Sequence, residues 1–218
     1  MTLNIRKTHS ERLMPLLDRV LAESGIEREE IEAVAVAAGP GSFTGLRIGV
    51  STARGLAQAL AIPAVPVCTL EALAESVPAP GALVCPLLDA RRNQVYTALY
   101  HRSAVAPFKL ETLVAPAALD LDRLTETLYT LDQPVIFLGE GLQNCADTLA
   151  GRLSPDRAVI SPAPFRLCRA SYVALLGARI LEEKPDASYR ELLPLYLRRP
   201  EAERLYQERQ GGSGEQPS

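Results

Sequence analysis

With 218 residues, 47% of them hydrophobic and 22% charged, the chain has the make-up of an ordinary folded protein, which excludes disordered and fibrous classes. Its 23 Lys and Arg against 26 Asp and Glu give a net charge of −3, Trp is absent and aromatics are only 5%, so the clustered cations and stacking platforms of a nucleic-acid binder working alone are missing. The longest uncharged stretch, residues 55–70, falls short of the ~18 apolar residues that span a bilayer, and no signal-peptide core follows Arg6 and Lys7; a cytoplasmic protein with no membrane segment is expected.

Taken in chain order, residues 2–7 alternate Leu3 and Ile5 with Asn4 and Arg6, which predicts a strand. Thr8 and Glu11 form a capping box before Leu13, Leu16, Leu17, Val20 and Leu21, whose spacing predicts a helix with one wide apolar stripe. Gly25 marks its end, and Pro15 lies inside it. Residues 33–38 form a continuous apolar run, the pattern of a buried parallel strand. The turn Gly39-Pro40-Gly41-Ser42-Phe43-Thr44 then opens a helix reaching about Ala61. A strand over 64–67 and a helix over 70–75, with Thr69 as N-cap, complete the first half; residues 76–81 (SVPAPG) read as the linker.

The second half begins with three strands, 83–89, 94–101 and 109–114, the first two joined by Arg91-Arg92-Asn93. A helix near 117–128, a strand over 135–139, a helix near 142–152, a strand over 158–160 and a helix over 171–183 follow. The two halves run in the same order if the first lacks two leading strands. They divide the chain into residues 1–80 and 81–200, with a charged helix end and disordered tail over 201–218.

GPGSFTG follows a strand and opens a helix, where phosphate loops sit, yet it matches neither the P-loop nor the Rossmann spacing, and Phe43 stands where a nucleophile elbow needs Ser. The preferred reading is a structural turn, Gly39 to Thr44, packed closely against neighbouring backbone. The helix behind it carries two rows of small residues at four-residue intervals: Gly45, Gly49, Ala53 and Ala57, then Ser51, Gly55 and Ala59. Gly49 and Gly55 together cost the helix roughly 2 kcal/mol relative to Ala, a cost that close packing can offset. The partner for such packing is either the chain's own sheet or a helix of another subunit, and two rows allow both.

Other chemistries are thinly supplied. His9 and His101 are the only histidines and neither has a ligand-spaced neighbour, so no metal site and no catalytic residue is assigned. Asp89 ends a strand before Arg91 and Arg92, but one carboxylate is not an acid/base pair. Arg198 and Arg199 read as part of a charged, solvated face. Cys68, Cys85, Cys145 and Cys168 form no CxxC pair and read as small buried hydrophobes.

THSERLMPLLDRVL, VAVAAGPGSFTGLRIGVSTARGLAQAL, IPAVPVCTLEALA, PLLDARRNQVYTALY, VIFLGEGL and LLPLYLRRPEAE resemble, over nearly the whole chain, the TsaB family of tRNA threonylcarbamoyladenosine biosynthesis proteins, relatives of the M22 glycoprotease-like group. The resemblance implies an α/β, duplicated actin/sugar-kinase-like (ASKHA) fold with two βαβα halves. It implies a non-catalytic scaffold subunit of the bacterial complex that forms N6-threonylcarbamoyladenosine in tRNA. In that family the partner is the TsaD transferase, which uses a metal held by an HxxxH pair absent here, and a TsaE ATPase joins the larger complex. Carried over by position, the partner interface comprises His9, Ser10, Leu13, Leu17, Gly45, Arg47, Gly49 and Ala53. The same surface supports a homodimer, tRNA is touched only indirectly, and ATP and metal belong to the partners rather than to this chain. The alternative is an actin-fold enzyme of the M22 peptidase-like or small-molecule kinase type. One departure stands out: the family ordinarily begins with two further strands before the segment matching residues 2–7. The N-terminal half is therefore expected to be truncated, by a start codon placed downstream or because the chain is a fragment.

Overall fold

The computed structural model describes residues 9–107, 109–154 and 156–198. The strand expected over 2–7, the Thr8 cap and the 201–218 tail lie outside the described residues. Helix α1 (His9–Ser24) carries the expected stripe through Pro15 and ends at Gly25, whose φ of +69° is the left-handed cap that glycine adopts without strain. A β1–α2–β2 unit follows, comprising Val34–Gly39, Phe43–Leu60 and Ala64–Cys68, with β1 and β2 parallel and in register from Val34 opposite Ala64. The edge of β1 away from β2 pairs with no strand among the described residues, and Val34 to Ala37 are half-buried rather than buried. Helix α3 (Thr69–Glu75) begins one residue earlier than expected. Cys68 therefore holds the cap position, and Thr69 is the first helical residue.

The second half forms one five-stranded sheet. Strands β3 (Leu83–Asp89), β4 (Gln94–Arg102) and β5 (Leu110–Asp120) make an antiparallel meander. Helix α4 (Leu121–Tyr129) leads to β6 (Val135–Leu138), helix α5 (Leu142–Arg152) and β7 (Ala158–Ile160), giving the order β5-β4-β3-β6-β7. The unit β6–α5–β7 repeats β1–α2–β2: two parallel strands joined by a crossover helix. Strand β5 is six residues longer at its C-terminal end than the sequence pattern predicts. Residues 117–120 are expected to open the helix near 117–128, but pairing continues to Gln94 opposite Asp120, and tertiary pairing overrides local propensity. Pro116 is tolerated because β5 is an edge strand.

The halves are interleaved. Leu70, Leu73 and Ala74 of α3 pack on the five-stranded sheet with Val84, Ala98, Tyr100 and Leu138. Helix α6 (Ala170–Glu183), which follows β7, instead covers β1 and β2, placing Val173 and Leu176 beside Val67 and Ala72. Gly177 of α6 lies so close to Ala35 that a Cβ there would collide with it. Ser76 and Val77 of the linker are buried, and Ser76 Oγ donates to the Leu73 carbonyl at 2.7 Å. A charged cluster sits in this seam: the buried Glu75 carboxylate accepts from Arg102 Nη2 of β4 at 3.1 Å and from Arg179 Nη1 of α6 at 2.8 Å. It ties α3, β4 and α6 together. Among the described residues no helix is long and apolar enough to cross a membrane.

Candidate partner surface and the adjoining cleft

The GPGSFTG turn owes its leading glycine to the chain passing over it. Gly39 has φ +137°, and a Cβ there would collide with the Leu195 carbonyl oxygen. In the same place Leu195 N–H donates to the Ala38 carbonyl at 2.7 Å. Ser42 caps α2, its hydroxyl accepting from the Gly45 N–H at 3.4 Å and satisfying one of the orphan donors of the first turn. A Cβ on Gly41 or Gly45 would meet only ordinary contacts, so the backbone demand is concentrated at Gly39. Thr44 is exposed, while Phe43 is half-buried under Tyr196, ring centres 5.0 Å apart.

The two small rows of α2 have different environments. Ala53 and Ala57 are buried with Val50, Ala38, Ala64 and Leu192 in the chain's own core, and a Cβ on Gly49 would touch Val36 at 3.7 Å. That row serves β1. Ser51, Gly55 and Ala59 are all exposed, and a Cβ on Gly55 would meet nothing within 4 Å. Arg47, four residues before Ser51, heads this exposed row. Of the residues carried over from the family, then, Arg47 faces outward, Gly45 and Gly49 are half-buried, and Ala53 is consumed by the core. The exposed row was visible in the sequence; its orientation was not.

Among the described residues, helix α1 lies against α2 and against no other element of size. Its Leu13, Leu16, Leu17 and Leu21 are only half-covered, and Met14 and Val20 are exposed. Surface ion pairs, Arg19 with Glu23 at 2.8 Å and Arg28 with Asp18 at 3.4 Å, hold its polar side. His9 and Ser10 open the helix; their side chains lie outside the described residues. An amphipathic helix with an unfinished apolar stripe thus sits beside a helix with an uncovered small-residue row.

A cleft of about 510 Å³ adjoins this surface between the two halves. Residues 40–44 line one side, and Asp89, Arg91, Arg92 and Glu140 line the other. Arg91, Arg92 and Asn93 all have left-handed φ, 61°, 54° and 60°, and Asp89 Oδ1 accepts from the Arg91 N–H at 2.7 Å to hold the turn. Residues 195–198 bridge the cleft: Leu195 is bonded to β1, and Arg198 Nη1 donates to the Ala90 carbonyl at 2.6 Å. Sequence reasoning missed this strap, because LYLR shows no periodicity that points to it.

The remaining chemistry-bearing residues are tied up in the fold. His101 Nδ1 lies 3.3 Å from Glu111 Oε2 across β4 and β5, far in sequence from His9, and among the described residues no three His, Cys, Asp or Glu side chains converge to hold a metal. Burial pushes the Cys85 thiol up to about 12 and those of Cys145 and Cys168 up to about 11, and it raises Cys68 as well. All four are free, with Cys85 and Cys145 buried as expected and Cys68 and Cys168 half-buried.

Residues 4–206 match the family model described as TsaD: tRNA N6-adenosine threonylcarbamoyltransferase. The chain is 36% identical over 207 residues to the tRNA threonylcarbamoyladenosine biosynthesis protein TsaB of Bacillus subtilis (strain 168), covering 94% of this chain and 86% of that protein. It is 30% identical over 196 residues to the protein of the same name from Escherichia coli (strain K12), covering 88% and 81%. Among solved structures, a protein from Pseudomonas aeruginosa with similarity to peptidase YeaZ superposes with a TM-score of 0.71 at 28% identity, covering 89% of this chain and 86% of that one.

Proposed function

Because the chain belongs to the TsaB family and has its duplicated actin/sugar-kinase-like fold, we propose that it is the subunit that binds and organises a TsaD-like transferase in the formation of N6-threonylcarbamoyladenosine in tRNA. It acts in the cytoplasm, is non-catalytic, and reaches tRNA only through its partner. ATP and the metal are held by the partner subunits, and a TsaE-like ATPase joins the larger assembly. The same surface pairs two copies of this chain when no transferase is present.

The observation that carries this reading is the α1–α2 face. An apolar stripe left half-covered (Leu13, Leu17) lies beside an exposed row of small residues (Ser51, Gly55, Ala59), which is what a closely packed helical bundle needs from one partner. Gly45 and Gly49 lie half-buried at the start of α2, and Arg47 supplies the charge of that face. The test is co-purification of the full chain with the TsaD-like protein of the same organism at low and moderate salt. A stable complex, with tRNA modification only when both proteins are present, is the expected result. Failure to co-purify at either salt would count against the proposal, as would ATP turnover by the isolated chain above background.

A further inference from the structure

The Arg47 guanidinium is exposed yet held in place. It lies 4.2 Å over the centre of the Phe43 ring, and its Nε donates to the Tyr196 hydroxyl at 3.2 Å. Tyr196 is itself stacked on Phe43 and is fixed through its neighbour Leu195, whose N–H is bonded to β1. Both contacts to Arg47 are neutral, and among the described residues no carboxylate pairs with it. With Nε and the ring face occupied, the two terminal nitrogens remain as the fork that suits a carboxylate. An arginine already fixed in one rotamer loses less freedom on binding than a free one.

Arg47 also has a clear approach. It heads the row Ser51, Gly55 and Ala59, all exposed and small, with exposed Arg54 and Gln58 beside that row, so a helix laid along α2 can come close over the small residues and reach the guanidinium at their head. We propose that Arg47, preset by Phe43 and Tyr196, receives an Asp or Glu side chain of the TsaD-like partner, with Tyr196 a positioning residue for that contact. The inference rests on the partner reading above. A protein carboxylate fits better than a tRNA phosphate because α2 carries one further cation, Arg54, and the chain's net charge is −3, whereas nucleic-acid binding needs several clustered cations.

The dissociation constant of the full chain with the TsaD-like protein, measured at two salt concentrations for Arg47→Ala, Tyr196→Phe and the double variant, tests this. Arg47→Ala is expected to weaken binding by about tenfold or more and to flatten its salt dependence, and Arg47→Lys not to restore it, since Lys lacks the planar fork. Tyr196→Phe, which keeps the stacking but loses the hydroxyl, should cost roughly three- to fivefold, and almost nothing when Arg47 is already Ala. An equal cost of Tyr196→Phe in both backgrounds would overturn the positioning role. An Arg47→Ala variant that binds the partner normally, or one that impairs only tRNA binding by the complex, would overturn the carboxylate contact. Absence of any complex with the wild-type chain refutes the partner reading along with this one; a complex indifferent to Arg47 refutes this one alone.

Discussion

The units β1–α2–β2 and β6–α5–β7 share a topology and differ in what they leave uncovered. In the second, Leu142, Cys145 and Leu149 of α5 are buried against Phe137 and Val135, and α4 completes the layer with Leu121, Leu124 and Leu128. In the first, α2 buries one face against β1 and β2 and presents small residues on the other, while α1 contributes leucines that nothing fully covers. One copy spends its apolar residues on its own core; the other keeps a stripe and a small-residue row unspent. The same supersecondary unit thus forms a self-sufficient core in one half and, in the function proposed above, a docking platform in the other. The difference lies in side-chain size along one helix, not in topology.

The largest expected effect lies where the copies interlock. Glu75→Ala removes the buried carboxylate that Arg102 and Arg179 share, so unfolding by urea should show a loss of about 3–5 kcal/mol. Two separate transitions in that variant would mean that the halves, interleaved through α3 and α6, can still fold independently. Next comes the direct comparison of the copies. Leu149→Ala on α5 should cost about 2–5 kcal/mol, because the side chain is fully buried. Leu17→Ala on α1 should cost about 1 kcal/mol or less in the isolated chain, yet weaken co-purification with the transferase. Equal destabilisation by the two substitutions would remove the distinction between core copy and platform copy.

How far the sequence revealed this contrast depends on the element. Period 3.6 in Leu13, Leu16, Leu17 and Leu21 and the runs at 33–38 and 135–139 were enough to place α1, β1 and β6, because apolar spacing is what buries those faces. The end of β5 was not legible: an Ala-rich stretch has helical propensity, and only the neighbouring β4 makes it a strand. In α2 both small rows could be read, but which one faces the sheet depends on how β1 (Val36, Ala38) packs back on the helix and on Leu192, which is remote in sequence. The Arg47–Phe43–Tyr196 cluster was hidden for the same reason, since Tyr196 lies 149 positions beyond Arg47. Gly39 was read as a tight turn without its partner Leu195 being visible.

A smaller effect separates the glycines of the platform. Gly39→Ala should destabilise the chain by about 1–3 kcal/mol, since its φ is unsuited to an L side chain and the Leu195 carbonyl would have to move. Gly55→Ala meets open space within a helix, so the isolated chain should gain up to about 1 kcal/mol while the complex with the transferase weakens. A stabilised variant that still binds normally would show that the exposed row is not used.

The smallest effect concerns Glu71 on α3, one turn before Glu75 in the seam between the copies. Burial raises its pKa above the ordinary value of 4.5, repulsion from Glu75 adds to this, and Arg179 opposes it. A carboxyl whose pKa is higher folded than unfolded binds its proton more tightly in the native state, so ionising it costs stability. Its contribution is therefore most favourable below the ordinary carboxylate range and is lost as pH rises through the raised value. Glu71→Gln, which cannot ionise, should raise Tm at neutral pH, and that advantage should shrink steadily as the pH is lowered towards the ordinary carboxylate value. A Tm difference that grows on acidification would mean that Arg179, not burial, governs Glu71, and that the seam is held by two paired carboxylates rather than by Glu75 alone.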